Sequence, residues 1–427
     1  MGARRRDDGR MKTIAGCRSC GTTDLQRVLY LGEVPLANAL LTEERLRSES
    51  EPRFPLTLAF CPECSLLQIL ETVEPEVLFR DYVYFSSFSD TMLRHAKEEA
   101  GMLRDRLGLG GDSLAVELAS NDGYLLKNFV DMGVPVLGIE PARNIATVAE
   151  RNGVRTVAEF FDMTLARRLR DEGTRADVVI GNNVLAHVAD LAGFVGGAAH
   201  ILKDEGLAVF EFPYVGEMIE KLEFDTIYHE HLCYYSLHSV SGLLERNGLR
   251  TVDVERHDIH GGSLRVFAAR ATSGAEASRA VEELLEKERA KGMTGVAFYG
   301  AFAERVSRLK DALLGELRRR KEAGQRLAAY GASAKGSTLL NFFGIDGSLL
   351  DFIADRSTAK QGKFAPGNHL PIVAPEALAE RRPDAVLLLT WNFADEILKQ
   401  QSAYLSSGGQ FIIPVPQVRT VGKEALA

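Results

Sequence analysis

Four of the five cysteines stand in two C-x-x-C pairs, Cys17 with Cys20 (C-R-S-C) and Cys61 with Cys64 (C-P-E-C). Few folds satisfy this spacing, because four thiolates gathered from two knuckles can surround one tetrahedral zinc ion. The chain between the pairs must then turn back on itself. Four cysteine ligands leave no open coordination position, so the expected zinc is structural rather than catalytic. The competing reading is a redox pair or buried free thiols. Cys233, the fifth, reads as a small core residue rather than a nucleophile.

Beyond the cysteines the chain alternates strands and helices. "SLAVELASNDGYLLKNF" predicts a strand over Ala115 to Leu118, a turn at "ASNDG" and a helix from "YLLKNF". Gly123 lets that turn adopt unusual backbone angles. Roughly twenty residues on, "PVLGIEPA" predicts a second strand ending in Glu140, placed to accept from ribose hydroxyls. A G-x-G-x-x-G turn is absent, and Asp122 would repel a pyrophosphate. Both features argue for a cofactor without phosphates. "ADVVIGNNVLAHV" predicts a strand over Asp177 to Ile180, with Asn182, Asn183 and His187 beyond its C-terminal end, where ligands of parallel sheets collect. "GLAVFEFPYV" adds a strand, and "RTVDVERHDIHGGSLRVFAAR" reads as a hairpin turning at His260, Gly261 and Gly262. A parallel sheet finished by an antiparallel hairpin is the architecture of class I methyltransferases.

Two charged amphipathic helices follow. "RLAAYGASAKGSTLLNFFG" then predicts a strand at Leu327 to Tyr330, a small-residue turn and a helix. The apolar runs in "LLDFIADRS", "DAVLLLTWN" and "GQFIIPVP" complete a second doubly wound sheet. Ser333, Lys335 and Ser337 could meet a diphosphate at the helix start, although the turn is not a Walker A motif. The other reading is a degenerate unit that only covers the active site. The expected fold is α/β in three parts. A zinc-binding segment takes residues 1–85, an S-adenosylmethionine-type methyltransferase domain residues 86–275, and a Rossmann-like domain residues 276–427.

The composition suits that size. The 427 residues are 45% hydrophobic and 26% charged, ordinary for globular domains, with a net charge of −8. That balance argues against nucleic acid as a partner. No apolar run has membrane-spanning length. "MGARRRDDGRMK" lacks the apolar core of a secretion signal, so the expected compartment is the cytoplasm.

"FDTIYHEHLCYYS" sets Tyr228, His229, Glu230 and His231 in a row. If helical, Tyr228 and His231 share a face; if extended, Tyr228 pairs with Glu230 and His229 with His231. The residues alone do not choose. With the cysteine segment, "YVYFSSFSD", "ELASNDGYLL", "NNVLAHV", "HGGSLRV" and "YGASAKGSTLLN", this stretch resembles the sugar C-methyltransferases of antibiotic deoxysugar pathways. The likeness runs from about Cys17 to Pro416.

The resemblance implies methylation at C3 of a TDP-linked 4-keto-deoxysugar, with S-adenosylmethionine as methyl donor. Such chemistry needs a base with a pKa near the working pH and donors aimed at the developing enolate oxygen. It places His231 as the base, with Tyr228 and Glu230 lining the same site. Tyr82 is the rival base or the enolate donor, and His187 holds the keto oxygen or the adjacent hydroxyl. The cofactor is expected at Glu117, Ala119, Asn121, Asp122, Gly123, Tyr124, Glu140, Asn182 and Asn183. Substrate contacts are expected at Ser86, His260, Ser263, Arg265, Ser333, Lys335 and Ser337. His229 reads as a packed core histidine. The competing functions are O- or N-methyl transfer to a nucleotide-sugar and a non-catalytic zinc- and nucleotide-binding protein. A monomer or weak dimer is expected.

Overall fold

The computed structural model describes residues 11–48, 51–79, 86–259 and 261–426. Tyr82 and His260 therefore lie outside the described residues. Among those described, no helix is long and apolar enough to cross a membrane.

The cysteine segment builds an antiparallel sheet from Gln26–Val34, Phe54–Phe60 and Leu67–Ile69. "FPLTLAF" does not alternate polar and apolar residues, and nearly every position is buried. The reason is cover on both faces: the long helix Val296–Glu322 packs on this sheet, bringing Tyr299 to 4.9 Å from the Phe60 ring. The fourth strand is Cys233–Tyr234, which comes from the middle of the chain and pairs antiparallel with Leu67–Ile69.

The central sheet has seven strands. From one edge they run Leu249–His257, Ser263–Arg270, Leu202–Pro213, Ala176–Asn182, Ala115–Leu118, Val136–Ile139 and Thr156–Val157. The last five are mutually parallel, and Ser263–Arg270 runs antiparallel to both of its neighbours. The parallel sheet with a terminal hairpin is present as expected. Two boundaries differ from the sequence reading. The helix after Ala115–Leu118 begins at Leu126 rather than at Tyr124, because the turn before it carries alternate left-handed residues, Ala119, Asn121 and Gly123. The Ala176 strand runs on to Asn182, so Asn182 belongs to the strand itself.

The last domain has six strands in the order Ile372–Val373, Ile353–Ala354, Leu327–Tyr330, Ala385–Leu388, Gln410–Ile413 and Arg419–Val421. All are parallel except the last. Strand order reverses on either side of Leu327–Tyr330, which creates a switch point beside Ala385–Leu388. One contiguous apolar core joins the three parts, from Leu58 and Phe60 through Phe212 and Phe224 to Phe343 and Ile412.

Candidate active site

The C-terminal edge of the central sheet holds a strained turn. Ala119, Asn121 and Gly123 have φ of 56°, 48° and 77°, and Asn183 on the adjacent strand end has 53°. Left-handed angles at non-glycine residues cost about 1 kcal/mol each and cluster where backbone must be aimed. At Gly123 a side chain would also strike Val154, at 2.9 Å. The Asn121 side-chain oxygen accepts from the Ser86 and Asp122 backbone N–H groups, both at 3.0 Å, and so ties Ser86 to this turn. Glu140 accepts from the Asn121 N–H at 3.0 Å and the Ala142 N–H at 2.8 Å.

This sheet edge is acidic and short of donors. Oε2 of Glu117, Oδ1 of Asp122 and Oδ1 of Asn182 are buried without a hydrogen-bond partner. Burial pushes Glu117 well above the usual carboxylate range, and the nearby charges of Glu99, Glu140 and Asp122 add to the rise. Tyr124 is buried beside them. Asn182 donates from Nδ2 to Oε2 of Glu99 at 2.6 Å. Orphaned acceptors and negative charge suit a ligand with an ammonium, a sulfonium, hydroxyls and an amine, and no phosphate.

The "YHEH" stretch is neither helix nor strand. It is a tight turn closed by the His231 N–H on the Tyr228 carbonyl, at 2.9 Å. The turn sends its side chains two ways. Tyr228 and His231 go together, phenol oxygen 2.9 Å from Nε2, with ring centroids 4.2 Å apart. Nδ1 of His231 lies 2.9 Å from the Thr226 carbonyl, which can only accept. Nδ1 therefore carries the proton, and Nε2 of the neutral ring accepts from the Tyr228 O–H. His187 stands edge-on to His231 at 4.8 Å and donates from Nδ1 to the Glu230 carbonyl at 2.7 Å. Burial lowers the His187 pKa to about 4, so that ring is neutral near pH 7.

His229 and Glu230 turn toward the zinc segment. His229 donates from Nε2 to the Pro55 carbonyl at 3.0 Å, edge-on to Phe54. Glu230 accepts from Nδ2 of Asn38 at 2.7 Å, and burial raises its pKa to about 7. Asn38 and Thr226 were not singled out from sequence. Neither carries a titratable group, and each matters through a partner distant in the chain or through its carbonyl.

Several residues expected to contact substrate have partners within the chain. Arg265 is 3% exposed, with Nη2 at 2.7 Å from Glu211 and 3.2 Å from Glu99. Its guanidinium fills the place that the carboxylates of Glu99 and Glu211 and the ring of His95 would otherwise offer a metal ion. The Ser263 hydroxyl is buried and donates to the Ile259 carbonyl. Ser333 caps its helix, accepting from the Gly336 N–H at 3.0 Å, and Ser337 is buried. Lys335 reaches over the Trp391 ring, 5.0 Å from its centroid.

Three family models match in series. They are a "Putative zinc binding domain" at residues 17–79, a methyltransferase domain at 92–254 and a C-methyltransferase C-terminal domain at 258–416. C-methyltransferase NovU of Streptomyces niveus is 37% identical over 415 residues, 97% of this chain and 99% of NovU. The chain belongs to the S-adenosylmethionine-dependent C-methyltransferase family. A ubiquinone biosynthesis O-methyltransferase of Bartonella bacilliformis is 27% identical over 125 residues, 28% of this chain and 50% of that enzyme. The structure of the Synechocystis PCC 6803 magnesium protoporphyrin IX methyltransferase with bound SAH covers 42% of this chain and 83% of its own, at 14% identity and a TM-score of 0.33.

This C-methyltransferase has a knuckle that fits zinc. The sulfurs of Cys17, Cys20, Cys61 and Cys64 lie within 4.8 Å of one another. Cys17 and Cys64 are 3.5 Å apart, as are Cys20 and Cys61. Tetrahedral Zn–S bonds of about 2.3 Å require sulfurs roughly 3.8 Å apart, close to what is seen. Hydrogen bonds from Cys64 and Gln68 hold the Cys17 thiol down to about 4, while its neighbour and burial push Cys64 far up. Only a shared cation lets all four ionise together. No open position remains, so the ion is structural.

Proposed function

We propose that this enzyme removes the C3 proton of a TDP-4-keto-deoxysugar and methylates the resulting enolate carbon. The observation that carries this reading is the pair of hydrogen-bond partners around His231, the Thr226 carbonyl at Nδ1 and the Tyr228 hydroxyl at Nε2. The Thr226 carbonyl accepts a hydrogen bond from Nδ1–H, so the ring's lone pair lies on Nε2, beside the Tyr228 hydroxyl, with the His187 ring 4.8 Å away. A neutral imidazole held this way is a general base for a carbon acid. Bound S-adenosylmethionine supplies the electrophilic methyl group.

The roles of the neighbours follow from which atoms donate. When the Tyr228 O–H turns from Nε2 to the keto oxygen, it frees the lone pair and places a donor on the developing oxyanion. His187 spends its Nδ1 proton on the Glu230 carbonyl and presents Nε2 as an acceptor. It therefore suits the sugar hydroxyl next to the ketone rather than the keto oxygen. The proton taken from carbon rests on His231, where imidazolium is supported by the Thr226 carbonyl. Glu117, Asp122, Glu140 and Asn182 hold the methyl donor at the sheet edge.

The test is solvent exchange. In deuterated water, with S-adenosylhomocysteine in place of the methyl donor, the enzyme should wash deuterium into C3 of the ketosugar. The His231→Asn variant should lose exchange and turnover by about 10²–10⁴-fold while still binding S-adenosylmethionine. Methyl transfer without exchange would indicate O- or N-methylation, and near-parental exchange in the variant would remove His231 as the base.

A further inference from the structure

The switch-point crevice of the last domain is where a doubly wound sheet ordinarily receives a ligand. Here it receives a piece of the same chain. Trp391 lies just beyond the strand Ala385–Leu388, and Lys335 rises from the helix that follows Leu327–Tyr330. The indole Nε1–H of Trp391 donates to Oδ2 of Asp225 at 2.7 Å. Asp225 is fully buried, and its other oxygen has no hydrogen-bond partner. The Lys335 ammonium sits over the indole, close enough that its charge acts on both Asp225 and Glu223. The neighbouring Phe224 is fully buried, stacked on Phe343 at 4.9 Å.

What makes this contact more than packing is the next residue. Thr226 follows Asp225, and its carbonyl accepts the Nδ1 proton of His231 at 2.9 Å and the Tyr234 O–H at 3.3 Å. A left-handed Leu222, φ 58°, starts the segment, so its path is imposed rather than relaxed. Two hydrogen bonds, Trp391 indole to Asp225 and His231 ring to the Thr226 carbonyl, are joined by the backbone of adjacent residues Asp225 and Thr226. We infer that Asp225, Trp391 and Lys335 form a latch by which the last domain fixes the tautomer and orientation of His231. They are positioning residues. The "GASAKG" turn and the "YHEH" stretch are thus two ends of one device.

This inference rests on the proposed role of His231, but part of its test needs no sugar. Trp391 is the single tryptophan of the chain. Its emission therefore reports the latch alone. Asp225→Ala should shift that emission to longer wavelength. In protein labelled with ¹⁵N-histidine, the parental His231 should show a proton on Nδ1. Asp225→Ala and Trp391→Phe should each show a mixture of tautomers. Toward the TDP-ketosugar, each variant should lose turnover about tenfold or more, the scale of a hydrogen bond to a charged group. S-adenosylmethionine affinity should stay within about twofold, since that site lies at another sheet edge. Asp225→Asn, which still accepts from the indole, should recover most of the turnover and also covers the case in which the alanine variant fails to fold. The double variant should be no worse than the worse single one. An unchanged tautomer in Trp391→Phe, or losses that multiply in the double variant, would overturn the latch. A changed tautomer with no sugar turned over by the parent would instead count against the substrate reading alone.

Discussion

Replacing Glu230 with glutamine should make the protein more stable, and only on the alkaline side. Glu230 is 6% exposed, and burial raises its carboxyl from 4.5 to about 7, with the Asn38 hydrogen bond only partly opposing the rise. A folded-state pKa above the unfolded one means that the unfolded chain releases this proton first. Below about 4.5 the carboxyl is neutral in both states and costs nothing. Between about 4.5 and about 7 stability falls as pH rises, and above that range the whole penalty is present. A rise of about 2.5 in pKa corresponds to about 3 kcal/mol. Glutamine keeps the carbonyl oxygen that Asn38 Nδ2 donates to, and it carries no charge. Glu99 and Glu223, also raised to about 7, titrate in the same window, and His187 and His229, lowered to about 4, titrate in the opposite sense. All four contribute equally to parent and variant, so they cancel in the difference. The assay is a pair of thermal melts recorded across pH. The curves should coincide below about pH 4 and separate by about 3 °C above about pH 8. A separation that does not change with pH would refute the reasoning, because the buried carboxyl would then not be the source.

Loss of the zinc knuckle should disturb the "YHEH" segment, which packs on it, as well as its own domain. Cys17→Ser should lower stability by roughly 3 kcal/mol or more, a fraction of the 10–16 kcal/mol that a structural zinc site supplies. A metal-free variant with parental melting and turnover would count against a structural ion. At the cofactor edge, Glu140→Ala strands the Asn121 and Ala142 N–H groups and should weaken S-adenosylmethionine binding about 10- to 100-fold. Asp122→Asn, which removes charge and keeps shape, should weaken it less, and calorimetric titrations matching the parent in both variants would move the cofactor elsewhere.

The strand ends were legible because periodicity and turn residues are local signals. Ala115 to Leu118 and Leu327 to Tyr330 stand where the apolar runs place them. The direction of the "YHEH" side chains was not legible. Helix and strand each gave a definite pairing, and a turn stabilised by partners far along the chain gave a third arrangement. Tyr228 with His231, the pairing that a helix predicts, arises here from one i to i+3 hydrogen bond without any helix. Asp225 lay inside a quoted motif and Trp391 at a strand end, yet nothing local joins residues so far apart. Arg265 looked like a ligand contact because it follows a glycine turn. Its strand instead runs through the sheet interior, where two carboxylates hold it.

The strand Cys233–Tyr234 completes a sheet whose other members were synthesised far earlier in the chain. A fragment ending near residue 85 would therefore present the Leu67–Ile69 edge bare, ready to pair with a second copy of itself. Anyone grafting this knuckle onto a relative must move two non-adjacent stretches together. Swapping modules at the apparent border would produce a chimera whose "YHEH" turn is held at one end only.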